Sequence, residues 1–366
     1  MQKKFIISLV IGGLISALTL YLAFRNVPIA DLRAYLRTIN YWWIFPTMGI
    51  IALTFVLRAI RWKIILKDIC DVTVLQAFHP TMIGFMMNCV LPGRVGELAR
   101  PALLRQKHNV PMTTGLATVA AERIFDLFVL ITLFALMFGT ITRRPELEGE
   151  YFGLQLNAAI LQKAALGVIR FSIALLLCIA LLSIGSIRRL LKTIIMRTGR
   201  SVDRLLPRFQ KFTQRMIGFC TKIIDNIAIG LSLVRNPSQL LACMAVTIVI
   251  WVLTAFSYLI FAFGCPGINL SLMELTTVMV IICLAIALPS VPGFWGLWEA
   301  GGVFALSIHG VAEKDALGFT LVNHAAQIFP VIGIGLISTL ITSVNILQLS
   351  QSDSAENPQP TAKGVS

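Results

Sequence analysis

The chain has 366 residues, 57% of them hydrophobic and only 13% charged, against about 45–50% apolar and about 25% charged in a soluble domain. Its mean hydropathy of +0.83 leaves too few polar residues to cover a water-facing surface. This excludes a soluble, disordered or coiled-coil protein and calls for a polytopic membrane protein with spans of about 20 apolar residues each. The net charge of +14 then marks cytoplasmic loops facing anionic headgroups. No basic stretch is interleaved with aromatics, so nucleic acid is not an expected partner.

Lys3 and Lys4 precede the apolar run Phe5–Phe24, which is too long for a signal-peptide core and has no cleavage site after it. It reads as a first span with a cytoplasmic N-terminus. Residues 25–41 form an outside loop despite Arg25, Arg33 and Arg37. The second span runs from Trp42 to about Ile60. Trp42, Trp43 and Trp62 are its interfacial anchors, and Arg58, Arg61, Lys63 and Lys67 mark its cytoplasmic end.

Leu75–Leu91 is apolar but short, and it stops at Pro92-Gly93-Arg94-Val95-Gly96-Glu97. A second short piece, Leu98–Leu104, leads to Arg105-Gln106-Lys107-His108. Neither piece crosses about 30 Å of hydrocarbon alone. Two half-helices meeting at a Pro-Gly break make a re-entrant hairpin, tolerated where protein or a water-filled cavity covers its backbone. Thr113–Thr140 is a full span, and Glu146, Glu148 and Glu150 follow outside. Ala164–Ile184 returns inward. The linker 186–236 holds a run of basic residues from Arg188 to Arg235 against Asp203 and Asp225, which fixes it on the cytoplasmic side as amphipathic helices. Pro237–Phe263 crosses outward. Leu272–Leu288 and Ala300–Ile308 form a second short pair around Pro292-Gly293-Phe294-Trp295-Gly296, and Ala316–Leu347 is the last span.

The expected fold is therefore all-α. Six full spans and two re-entrant hairpins form one domain over residues 1–348, with both termini cytoplasmic and a disordered tail over 349–366. Pro92-Gly93-x-x-Gly96 recurs as Pro292-Gly293-x-x-Gly296, each with a glutamate just beyond it, Glu97 and Glu299. Three spans separate the two hairpins, so they open to opposite faces. Residues 42–141 and 238–347 are then an inverted-topology repeat, whose interrupted helices mark the substrate site in many transporters.

Charges inside the hydrocarbon are costly unless paired or wet. Arg94, Glu97 and Arg100 follow the first break at i, i+3 and i+6. With the free N–H groups of the helix start, the two arginines make a seat for an anion such as a lipid phosphate. Glu122, Arg123 and Asp126 lie within Thr113–Thr140, with Arg94 and Arg100 as expected partners. Asn323, His324 and Gln327 occupy the matching stretch of the last span, and Glu299 is the second half's intramembrane acid. Each of these also has a plain structural reading, as an ion pair or hydrogen bond locking a hairpin to the next span. The seven cysteines stand singly and the four histidines are scattered, so no disulfide framework, metal site or cofactor is expected.

The blocks Leu91-Pro92-Gly93-Arg94-Val95-Gly96-Glu97-Leu98-Ala99-Arg100, Ala117 to Asp126 and Val291-Pro292-Gly293-x-x-Gly296-x-x-Glu299 resemble the flippase-like integral membrane family. This is also called the lysylphosphatidylglycerol synthase transmembrane region and includes UPF0104-type proteins. The resemblance spans Lys3 to Leu347. It implies a bacterial or archaeal cytoplasmic-membrane protein, here expected in a bacterial inner membrane, that moves a polar-headed lipid. Fused members carry a soluble transferase, which is not expected after Leu347. The sequence departs from the family at Asn323-His324, where an arginine is usual, and at Phe294, where a third glycine is common.

The expected function is flipping of an anionic or lipid-linked phosphate lipid, without enzymatic activity and without an ATP site in this chain. One rival is an intramembrane lipid-modifying enzyme with Glu122 and Asp126 as acid and base. Another is an accessory partner of a lipid synthase or glycosyltransferase that docks on the basic linker. A homo-oligomer is also compatible.

Overall fold

A computed structural model describes residues 2–91, 94–141, 149–151, 154–156, 184–205, 236–288 and 291–343, with scattered positions between 163 and 181 and between 210 and 221. Apart from a short antiparallel hairpin, Gly149–Tyr151 with Leu154–Leu156, the described elements are helices. In the first half these are α1 (Gln2–Phe24), α2 (Ile29–Thr38), α3 (Ile44–Leu66), α4 (Val74–Val90), α5 (Gly96–His108) and α6 (Met112–Ile141). After α7 (Gly185–Leu205) come α8 (Pro237–Ala262), α9 (Leu272–Ala285), α10 (Leu297–Ile308) and α11 (Glu313–Thr342). Three of them are long and apolar enough to cross a membrane: Tyr41–Leu66, Pro237–Ala262 and Glu313–Thr342. Gly12–Phe24 and Ile29–Thr38 together make a fourth candidate, bent by 78°. The protein is thus a multi-pass helical membrane protein.

Local chemistry sets the short helices. Thr73 and Gln76 form a capping box at the start of α4, and Ser271 and Glu274 form the same box at the start of α9. At the far end of each hairpin the chain turns through a left-handed residue, Asn109 (φ 54°) after α5 and Gly310 (φ 75°) after α10. The breaks match too: Arg94 (φ 55°) and Phe294 (φ 62°), each two residues after a proline, are both left-handed. Residues 25–41 are not a plain loop. They contain α2, which turns its apolar face inward through buried Leu32 and Tyr35.

Side-chain contacts give the helix directions. Along α3 and α8, Asp68 meets Gln239, Arg61 meets Thr247 and Asn40 meets Gly264. Position rises on one helix as it falls on the other, so the two are antiparallel. Trp62 meets Thr118 and Arg61 meets Asp126, so α6 is antiparallel to α3 as well. The ends of α3, α5 and α6 near residues 66–73 and 109 therefore share one end of the molecule with the start of α8. The turns at residues 40, 269 and 310 share the other.

The two halves pack alike. α3 lies along α8, its counterpart; α4 packs on α11 and, correspondingly, α9 on α6. Each short pair is an antiparallel hairpin. In the first, the Asn88 amide oxygen accepts from the Gly96 N–H at 2.8 Å, and a methyl on Gly96 would collide with the Gly84 carbonyl. In the second, a methyl on Gly301 would meet Ala285. The largest core cluster joins α8, α9, α10 and α11 to Val129 of α6.

Three expected boundaries shift. α5 and α10 start earlier than Leu98 and Ala300 because Gly96 and Gly296 lead directly into their first turns, and α11 starts at Glu313. Pro92 and Gly93, most of the expected span Ala164–Ile184, and the tail 349–366 lie outside the described residues.

Candidate functional site

α3, α5 and α6 converge on a cluster of charged side chains in the first half. Arg61 is bidentate to Asp126, with Nη1 to Oδ1 at 2.7 Å and Nη2 to Oδ2 at 3.2 Å, and Nη1 also donates to Thr247 Oγ1 at 2.9 Å. Its Nε lies 3.5 Å from Glu122 Oε1. Arg100 reaches Glu122 Oε2 at 2.6 Å and lies 4.3 Å above the Trp62 ring, whose own N–H donates to Thr118 at 3.0 Å. Glu122 and Asp126 are four residues apart on one face of α6, as helical spacing requires.

Two further arginines border this cluster. Arg58 lies 3.7 Å and Arg123 3.5 Å from Asp126 Oδ2. Both guanidinium groups flank the Phe85 ring, at 5.4 and 5.7 Å. Exposure divides the four. Arg61 and Arg100 are buried, Arg58 is 12% exposed and Arg123 is 40% exposed. The Nε atoms of Arg58 and Arg123, and Nε and Nη2 of Arg100, have no hydrogen-bond partner among the described residues. Four arginines thus face two carboxylates. In a low-dielectric interior that leaves two positive charges without a counter-charge among the described residues, on the side where Arg123 and, to a lesser extent, Arg58 reach the surface.

The second half has a different pair at a related place. Glu299, in the first turn of α10, accepts from the Gly296 N–H at 2.6 Å and lies 2.6 Å from His324 Nδ1. His324 Nε2 lies 2.8 Å from the Gly293 carbonyl oxygen. The ring is stacked on Trp298, 4.5 Å away and 4° from parallel, with Trp295 also 4.5 Å away. Glu299 and His324 are wholly buried.

The cluster differs from expectation in several respects. Arg94 and Arg100 do not form one anion seat. Arg94 is exposed and donates to the Ile286 carbonyl at 2.7 Å, whereas Arg100 turns inward to Glu122, because α5 packs that face on α6. Arg61, not Arg94 or Arg100, is the main partner of Asp126. Glu97 and Glu299 are not equivalent: counted from Gly96 and Gly296, Glu299 matches Ala99. Asn323, His324 and Gln327 do match Glu122, Arg123 and Asp126, each 201 positions on. Gln327 bonds Ser257 of α8 at 3.2 Å, as Asp126 bonds Arg61 of α3. Asn323, buried, has no hydrogen-bond partner among the described residues, since Ala300 stands where Arg100 would.

Arg58 and Arg61 were read from the sequence as flank charges. The signal that separates them is their stripe. They share a face with Thr54, Phe55, Trp62 and Ile65, all buried, while Lys63 and Lys67 point outward.

A family model described as the lysylphosphatidylglycerol synthase TM region matches residues 7–335. A UPF0104 membrane protein from the archaeon Methanothermobacter thermautotrophicus is 24% identical over 304 residues, covering 78% of this chain and 82% of its own length. Another from Methanocaldococcus jannaschii is 21% identical over 263 residues, covering 72% and 96%. Both are archaeal, so they lend no support to an expressly bacterial membrane. No solved structure matches.

Proposed function

The chain belongs to the family of the lysylphosphatidylglycerol synthase transmembrane region, and from that premise we propose that it is a flippase for a polar-headed anionic lipid. The observation that carries this reading is the charge imbalance around Asp126. A phosphodiester headgroup seated between Arg58 and Arg123 supplies the missing negative charge, with the exposed part of Arg123 as its first contact. Acyl chains remain in the bilayer while the headgroup moves through the polar interior. Arg61, Arg100, Glu122 and Asp126 form the rigid base beneath it.

The helix directions support the membrane arrangement this requires. α3 and α8 occupy matching places in the two halves and run antiparallel, which is the relation of an inverted repeat about an axis in the membrane plane. The first hairpin then enters and leaves at the end that carries Lys63, Lys67, Arg105 and Lys107, and the second at the opposite end. α6 and α8 run the same way, which agrees with one further span between them in the sequence. Six spans and two re-entrant hairpins satisfy all of this. The basic end of the molecule is the cytoplasmic face by charge bias, and the basic sequence of α7 puts that helix on the same side.

The enzymatic rival fares less well. Glu122 and Asp126 are both engaged by arginines and so are not presented to a substrate as acid and base. The test is reconstitution into vesicles with labelled phosphatidylglycerol or phosphatidylcholine and a leaflet-selective quencher. Wild-type protein is expected to flip the anionic lipid faster, and an Arg58→Ala/Arg123→Ala double variant to lose that preference. Equal rates for wild type and variant would overturn the assignment.

A further inference from the structure

The Glu299–His324 pair is a buried contact between α10 and α11, but its hydrogen bonds demand more than a contact. A carbonyl oxygen only accepts, so His324 Nε2, 2.8 Å from the Gly293 oxygen, must carry a proton. Nδ1 lies 2.6 Å from a carboxylate oxygen, and a bond that short needs a proton between the two atoms. Glu299's other oxygen accepts from the Gly296 N–H and cannot supply an alternative. Whether written as imidazolium with carboxylate or as neutral imidazole with carboxylic acid, the pair holds one proton more than neutral histidine with ionised glutamate. Only that state is electrically neutral, as two wholly buried side chains with no other charged partner among the described residues require.

We infer that the Glu299–His324 pair is a proton-binding site whose occupancy holds the second helix break closed. The two residues staple both ends of that break: the Gly293 carbonyl through the ring and the Gly296 N–H through the carboxylate. When the proton leaves to water entering the break, one neutral tautomer sets the Nδ1 lone pair against the carboxylate. The other sets the Nε2 lone pair against the Gly293 oxygen. Either way one staple becomes repulsive, so Gly293 and Phe294, both left-handed, lose the contact that holds them. The proton and the closed break stabilise each other by linkage, and raising pH favours opening.

The surroundings leave this pair as the group that responds. α1 presents Ser16 and Thr19 to the break. On the other packed elements, Tyr35 on α2, Cys89 on α4, Tyr258 on α8 and Cys283 on α9 are thiols and phenols whose ordinary range lies above neutrality. Asp31, Arg33 and Arg37 of α2 are exposed, Glu274 of α9 is held in the Ser271 capping box, and Arg58 and Arg61 of α3 and Arg123 of α6 are paired with Asp126. The exposed Arg94 is permanently charged. His79 bonds Ser338, about 21 Å along α11 from His324. His309, Glu313, Lys314 and Asp315 lie around the far turn, about 15 Å from Glu299 along α10.

The test is hydrogen–deuterium exchange of the detergent-purified protein between about pH 5 and about pH 8, with intrinsic exchange rates divided out. Residues 94–98 of the first break, which has no such pair, serve as the internal control. Residues 291–298 of wild type are expected to gain at least threefold in opening across the range while the control stays flat. Glu299→Gln, whose amide donates to Nδ1 and whose oxygen still accepts from Gly296, copies the protonated state and is expected to stay closed at every pH. His324→Gln is expected to stay open at every pH. A flat wild-type profile, or raised exchange in Glu299→Gln, would overturn the proton site. The measurement uses no transported lipid, so its failure leaves the anionic-lipid reading standing, and a failure of lipid flipping leaves the proton site standing.

Discussion

At the scale of single residues, the pairing of arginine with carboxylate decides what each change costs. Arg100 is buried against Glu122, so Arg100→Ala removes the nearer of that carboxylate's two arginines, Arg61 remaining 3.5 Å away, and is expected to destabilise by up to about 3 kcal/mol, read as a fall in thermal unfolding temperature. Arg100→Ala/Glu122→Asn copies the second half, where Ala300 and Asn323 stand at those positions, and is expected to restore more than half of that loss. If the double variant is no more stable than the single one, the equivalence between halves is wrong. Arg123 is 40% exposed, so Arg123→Ala should cost under about 1 kcal/mol while weakening binding of anionic lipid in a vesicle co-flotation assay. The sequence exposed Glu122 and Asp126 as charges in an apolar run and pointed to Arg100, which does pair with Glu122, but not to Arg61 and Arg58. An arginine near a helix end has the same local signature whether it snorkels or turns inward, and only the neighbouring helix distinguishes the two.

At the scale of elements, the hairpins depend on close backbone approach. Gly96 faces the Gly84 carbonyl and the Asn88 side chain with no room for a methyl group. Gly96→Ala is expected to cost about 1–3 kcal/mol or more by overpacking. Gly49, inside α3, has nothing within 4 Å of an added methyl, so Gly49→Ala should stabilise by up to about 1 kcal/mol through helix propensity. Thermal unfolding of the two variants in the same detergent gives the comparison, and equal shifts would refute the close contact. The hairpins themselves were legible because two apolar pieces too short to cross were joined at a Pro-Gly break. α2 was not legible, because ten residues of mixed polarity with three charges read as a loop unless something packs on Leu32 and Tyr35.

For the whole molecule, the antiparallel course of α3 and α8 makes a prediction about faces. In a cysteine-free background, Asp71→Cys and Asn236→Cys should react with a membrane-impermeant maleimide from one side of sealed vesicles, and Asn26→Cys and Asn269→Cys from the other. Labelling of Asp71→Cys and Asn269→Cys from the same side would refute the inverted arrangement. Hydrophobic run length and charge bias are enough to read off a helical membrane protein, two broken segments at matching positions, and a basic face. Lipid imposes those patterns locally, on each segment alone. Which buried charges meet depends instead on how the helices pack. The pairing of Arg61 with Asp126, the two uncompensated positive charges at Arg58 and Arg123, and the clasp of His324 between Glu299 and Gly293 join residues distant in the chain. Burial removes water as an alternative partner, and the helix packing then leaves each group only the partners within its reach.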